Sequence, residues 1–214
     1  MLLDHPAVAS AELSGLRLAI TGGKCIPPEL VDRVEASTGA TMSILYGMTG
    51  LCGTVTAVAP DAETETRRET CGHALPGVGV RIADPDTGIT LDFNVIGEIQ
   101  LRGWLTMSGY LDDPDATAAT ILPDGWLRTG DLGALDSNHR LRITGRVKEM
   151  IIRGAENVYP AEIENKQLRY HSAVADAAVV GLPIRFTAKP SRPPLSSARA
   201  QQCPRQKNSP TSAE

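Results

Sequence analysis

The residues that first suggest chemistry are Thr21-Gly22-Gly23-Lys24, a glycine pair closed by a lysine at the end of an apolar run. Such a turn can cradle phosphate oxygens with its backbone N–H groups. A Walker A loop is excluded: that pattern needs a glycine five residues before the second one and a hydroxyl after the lysine, where this chain has Leu18 and Cys25. The plainer reading is a strand-to-helix turn where backbone passes close to another group, which glycine permits because it lacks a Cβ. Read without context, Thr129-Gly130-Asp131 is a polar turn between strands, Tyr46 ends a core strand, Arg146 makes a surface salt bridge and Lys148 is an exposed lysine on a strand. Cys25, Cys52, Cys71 and Cys203 lie far apart with no CxxC pair, which excludes a zinc knuckle or a dithiol redox site and leaves free thiols.

The elements that must position these residues fall into two textures. LRLAIT (Leu16 to Thr21) is an apolar, β-branched run that predicts a buried strand. Pro27 and Pro28 suit a first helical turn, Leu30, Val31 and Val34 form an apolar stripe, and Thr38-Gly39 stops it before a second strand, TMSILY (Thr41 to Tyr46). Strand, helix, strand predicts an α/β layer with parallel strands. From residue 75 onward VGVRIAD, IGEIQLRG and LRITGR alternate and are separated by DPDTG, PDG and DSNHR. That texture predicts an antiparallel β subdomain, interrupted by one short helix begun by Pro114. After Arg146 the order is a strand over KEMIIR, a helix from Pro160 with Ile163 and Leu168 on one face, and a strand over AVADAAVVG, a small α+β lobe.

Composition bounds the classes. The 214 residues are 42% apolar with a net charge of -4, which suits a soluble protein, and no apolar run of about 18 residues is present to cross a bilayer. The first fifteen residues carry Asp4, His5 and Glu12 and no basic n-region, so a cytosolic location is expected. Mild acidity argues against nucleic acid. Residues 183–214 differ: they hold six of the fifteen prolines and six basic side chains against one acid, a net of +5 beside -9 for residues 1–182. A segment so poor in apolar periodicity is expected to be a disordered basic tail. The abrupt switch suggests a shifted reading frame or a wrongly assigned gene end.

Four segments in fixed order, TGGKCIPPEL, YGMTG, GWLRTGD and GRVKEMIIRGAENVYPAEIE, resemble the adenylate-forming (AMP-binding) enzymes: acyl-CoA synthetases, luciferases and peptide-synthetase adenylation domains. GEIQLRG and SGYLDDPDATAAT lean toward the acyl-CoA synthetase, or fatty-acid-CoA ligase, branch. The resemblance covers about residues 13 to 182. It implies a fold of α/β plus α+β type: residues 1–146 the C-terminal part of the AMP-binding domain, 147–182 the start of the smaller lobe, 183–214 the tail. It implies a nucleotide site at Gly22, Gly23, Lys24, Tyr46, Gly47, Met48, Thr49, Asp131 and Arg146. In that site Tyr46 would pack on adenine, Asp131 would accept both ribose hydroxyls and Arg146 would reach nucleotide oxygens. Lys148 matches the hinge, and Gly154, Ala155, Glu156 and Asn157 the region where the CoA arm passes.

By resemblance the chain is an acid:CoA ligase that uses ATP, Mg²⁺ and CoA to activate a carboxylic acid, fatty or aromatic. Two departures stand inside the motifs. Gly50 occupies the place of a glutamate that helps hold Mg²⁺, and Ala155 replaces the second glycine of the family's GGEN. The family's phosphate loop and its C-terminal catalytic lysine have no counterpart among these residues, so no catalytic residue is assigned and the polypeptide is expected to be inactive alone. The alternatives are a non-catalytic adenylate-binding module and a split ligase completed by a separate chain carrying the phosphate loop. An exposed sheet edge and low solubility are also expected.

Overall fold

The computed structural model describes residues 3, 5–23, 26–153, 156–164 and 177–182. By internal contacts the chain divides into two units, Met1–Lys148 and Glu149–Glu214.

In the first unit β1 (Leu18–Gly22) lies parallel to β2 (Thr41–Met48), and α1 (Pro28–Thr38) connects them. Pro28 starts the helix where no backbone donor is needed. Val31 is fully buried, Leu30 and Val34 pack against the same core, and the N–H of Gly39 closes the helix on the Glu35 carbonyl. The expected strand-helix-strand unit is therefore present, but β1 is not the buried strand expected: Leu18 and Ile20 are 39% and 61% exposed. The sheet is nonetheless mixed, because β3 (Gly53–Ala57) and, after α2 (Thr64–Glu69), β4 (His73–Ala74) extend it antiparallel in the order β1-β2-β3-β4. A single 3-10 turn, Thr49–Leu51, joins β2 to β3. A connection that short cannot cross over to a parallel strand, so the chain folds straight back.

The second sheet is β5 (Val78–Ala83), β6 (Gly97–Gly103), β7 (Leu127–Leu135) and β8 (Leu141–Arg146), in that order and antiparallel throughout. The short helix α3 (Pro114–Thr120) is capped by Asp113, whose Oδ1 accepts from the Ala116 amide at 2.9 Å. One expectation is corrected here. Thr129-Gly130-Asp131 is not a turn between strands but lies inside β7, where the β6–β7 register shifts. Leu127 and Leu132 on either side are both buried, and their burial keeps the strand going through the glycine. Ile44 and Val55 of the first sheet share one apolar cluster with Ile99, Leu101 and Leu141 of the second, so a common core fixes the two sheets against each other.

In the second unit β9 (Ile151–Arg153) pairs antiparallel with β10 (Glu156–Val158), followed by α4 (Pro160–Ile163). The expected strand over KEMIIR is shorter than its sequence suggests. Val147–Glu149, with Lys148 in it, is a 3-10 turn, and pairing begins at Ile151. The strand expected over AVADAAVVG is absent from its described part, residues 177–181. Burial still alternates there, with Ala177 and Val179 inside, but the Val179 N–H donates to Glu164 Oε1 at 2.7 Å rather than to a neighbouring strand. Leu168 and the basic tail, residues 183–214, lie outside the described residues.

Candidate functional site

At the carboxyl ends of β1 and β2 side chains give way to glycine, and the end of a parallel strand pair is where open α/β sheets leave a crevice. An open cleft of about 740 Å³ occupies this place. Gly22 and Gly23 form one wall, Tyr46, Gly47, Met48 and Thr49 another, and Cys52, Gly53 and Thr54 contribute from the turn into β3. Six residues expected from sequence thus share one cleft. The last three were not anticipated, because β3 itself was not legible in the pattern. Lys24 lies outside the described residues.

Tyr46 has two roles in the structure. It lines the cleft and, at 6% exposure, it also belongs to the core. Its hydroxyl donates to Asp131 Oδ2 at 2.9 Å. Burial, with the Asp131 charge beside it, pushes the phenol far above its ordinary pKa, so it remains a donor. Asp131 faces Arg146 across the β7–β8 ladder, and Arg146 Nε reaches Asp131 Oδ1 at 3.1 Å. Sequence separation of 85 residues hides the Tyr46–Asp131 contact from any local pattern.

The Asp131 carboxylate therefore meets one donor on each oxygen. An ionised carboxylate has about four lone-pair positions, so each oxygen keeps capacity for a further hydroxyl. Arg146 is exposed, and its guanidinium has five N–H donors suited to phosphate or ribose oxygens. The chemistry of this trio is recognition of a diol with a nearby anion.

Glu98, in GEIQLRG, has no role expected from its sequence, and it lies under the Asp131 segment. It is 2% exposed and accepts from Arg128 Nε at 2.8 Å and from the Gly130 amide at 3.1 Å. The signal that could have found it is an acid in the middle of a strand that is otherwise buried from Gly97 to Leu101.

The described residues do not fit a side-chain seat for Mg²⁺. No three His, Cys, Asp or Glu side chains among them come together. At residue 50 a glycine is buried, and a Cβ there would meet Leu127 Cδ1 and Met107 Sδ at 3.4 Å, an apolar surrounding. Lys148 sits in the 3-10 turn at the end of the first unit. Glu156 and Asn157 lie on β10, paired with Arg153 and Ile152, while Gly154 and Ala155 fall outside the described residues.

A mixed α/β sheet whose parallel pair opens into a glycine-lined cleft, joined through one core to an antiparallel sheet bearing Asp131, defines the class as that of adenylate-forming enzymes. The chain belongs to the AMP-binding enzyme family, whose profile matches residues 1–111. It is 45% identical over 183 residues to the 3-[(3aS,4S,7aS)-7a-methyl-1,5-dioxo-octahydro-1H-inden-4-yl]propanoyl:CoA ligase of Mycobacterium tuberculosis, covering 85% of this chain and 34% of that protein. Among solved structures it is similar to ATP-bound MatB from Rhodopseudomonas palustris, with a TM-score of 0.76 and 34% identity over 85% of this chain and 35% of that one. It is also similar to the o-succinylbenzoate CoA synthetase of Bacillus subtilis in complex with its acyl-adenylate intermediate, with a TM-score of 0.71 and 32% identity over 79% of this chain and 34% of that one. The chain spans about a third of the length of the curated relatives it matches.

Proposed function

We propose that this chain is the adenylate-holding portion of an ATP-dependent acid:CoA ligase, and that as a 214-residue polypeptide it binds AMP or an acyl-adenylate without turning over. The observation that carries the reading is the Asp131 carboxylate, held between the Tyr46 hydroxyl and Arg146 beside the cleft. In this reading Asp131 accepts the ribose hydroxyls, Arg146 turns its remaining donors to nucleotide oxygens, and the glycine wall admits the flat adenine and the acyl group. Relatives named as CoA ligases and neighbours holding ATP or an acyl-adenylate support the same ligand class.

Lys148 serves as the hinge, which is supported by the boundary between the two units falling directly after it. The CoA arm passes over Glu156 and Asn157. Mg²⁺ is not assigned a role, since the described residues do not fit it. Calorimetric titration with AMP and with a stable acyl-AMP mimic is the test. Saturable binding that Asp131→Ala abolishes is expected, together with no ATP–pyrophosphate exchange; binding that survives Asp131→Ala would sink the reading.

A split ligase completed by a second chain is favoured by one observation. Leu18 and Ile20 on the edge strand β1 are 39% and 61% exposed. Pyrophosphate exchange that appears only on mixing with a chain bearing a phosphate loop would establish it.

A further inference from the structure

Glu98 is a buried acid that the nucleotide reading leaves without a task. It lies on β6, directly beneath the one place where the β6–β7 ladder breaks. Glu98 is paired with Leu132 and Gln100 with Arg128, so a two-residue step on β6 faces a four-residue step on β7. Three residues of β7, Thr129-Gly130-Asp131, thus stand opposite the single Ile99 of β6, an excess of two. Backbone in such a bulge loses its ladder partners, and its N–H groups must be satisfied in another way.

Two side chains do this. Thr129 Oγ1 donates to the Ile99 carbonyl at 2.7 Å and accepts from the Asp131 amide at 3.1 Å. Glu98 Oε1 accepts from the Gly130 amide at 3.1 Å, while its Oε2 accepts from Arg128 Nε at 2.8 Å. Arg128 is tied in turn to the Pro85 carbonyl at 3.0 Å, which anchors the pair to the loop after β5. Gly130 has φ 72°, a left-handed conformation open to glycine, and the buried carboxylate is what holds its amide there. The next residue is Asp131, so the position of its carboxylate between Tyr46 and Arg146 follows from the shape of this bulge.

We propose that Glu98 is a positioning residue for vicinal-diol recognition: by accepting the Gly130 amide from below, it sets the bulge that presents the Asp131 carboxylate to the two hydroxyls of a ribose. The proposal rests on the reading of Asp131 as the diol acceptor. Glu98 touches no ligand in this account; it acts only through Gly130.

The test compares AMP with 2′,3′-dideoxy-AMP by calorimetry on the full 214-residue chain. The ratio of the two affinities measures diol recognition, which general loosening of the fold would not change. Glu98→Gln combined with Arg128→Met removes both charges and keeps a carbonyl for Gly130. Glu98→Leu combined with Arg128→Met removes the charges and the acceptor together. The first pair is expected to keep the unsubstituted preference for AMP. The second is expected to lose about tenfold of it, the worth of one hydrogen bond to a charged acceptor, with the dideoxy affinity little changed. Should the second pair not fold, Glu98→Gln alone, whose single carbonyl is contested by Gly130 and Arg128, is expected to show a smaller loss of the same sign. Equal preference in both pairs, or equal weakening of both nucleotides, overturns the role of Glu98 alone. Absence of any AMP preference in the unsubstituted chain, or a preference that survives Asp131→Ala, overturns the diol reading itself and the proposal with it.

Discussion

The hydroxyl of Tyr46, on β2 beside α1, donates to Oδ2 of Asp131 in the middle of a different sheet at 2.9 Å. Because the core is shared, this bond ties the cleft to the antiparallel sheet and makes the stability of the fold sensitive to alkali. Burial and the Asp131 charge raise the Tyr46 pKa, so the folded state keeps its proton where a free phenol loses it, near about 10. The stabilisation is complete below that pH and declines as pH rises above it. Tyr46→Phe is expected to cost about 2 kcal/mol at pH 8, the value of a hydrogen bond to a charged acceptor, and to flatten the loss of stability from pH 9 to 11. Urea midpoints across that range check both; an unchanged alkaline slope would count against the bond.

Glu35 of α1 governs the acid side. It accepts from Arg67 Nε at 2.9 Å and Arg67 Nη2 at 3.1 Å, and from the Met42 amide at 2.9 Å, which ties α1 to α2 and β2. The Arg67 hydrogen bonds hold its carboxyl below the usual glutamate value. A depressed folded value means that the stabilisation is present above the unfolded value, near about 4.3, and is lost as pH falls through the folded one. Melting temperature is expected to drop below that pH, and Glu35→Gln to lower it at pH 7 while shrinking the drop.

Gly47 tests the wall of the cleft. A Cβ at this position would stand 1.8 Å from the carbonyl oxygen of Gly53, on the strand that returns from the short turn. Neither backbone segment can yield cheaply, since both belong to the same sheet. Gly47→Ala is expected to cost about 3 kcal/mol or more by overpacking. Equilibrium unfolding measures it, and a change under about 1 kcal/mol would show that the β2–β3 register is wrong.

The edge of the first sheet predicts solution behaviour. Leu16, Leu18 and Ile20 are 46%, 39% and 61% exposed, next to the side of β1 that no strand among the described residues pairs. An apolar strand edge of this kind templates self-association. The isolated chain is expected to elute as oligomers in light-scattering chromatography, and Leu18→Lys with Ile20→Lys to shift it toward monomer. A monodisperse unsubstituted monomer would contradict this.

Much of the local structure was legible because its causes are local. Pro28 and the Leu30, Val31 and Val34 stripe announce α1, alternation announces β5, β6 and β8, and Pro114 announces α3. The illegible parts had local signals that pointed elsewhere. Thr129-Gly130-Asp131 carries turn chemistry, yet burial of Leu127 and Leu132 carries the strand through it. Lys148 stands in a strand-like run, yet it lies in a 3-10 turn.

Sequence alone determined the family, through residue types at set spacing around Gly22, Tyr46, Asp131, Arg146 and Lys148, and it determined those elements whose periodicity matches their backbone. Tertiary structure alone decided that Tyr46 and Asp131 meet, that β3 turns back antiparallel to β2, and that Glu98 lies under Gly130. Periodicity is set by neighbours two to four residues away. A hydrogen bond across 85 residues depends on strand order and register, which only the packing of the common core establishes.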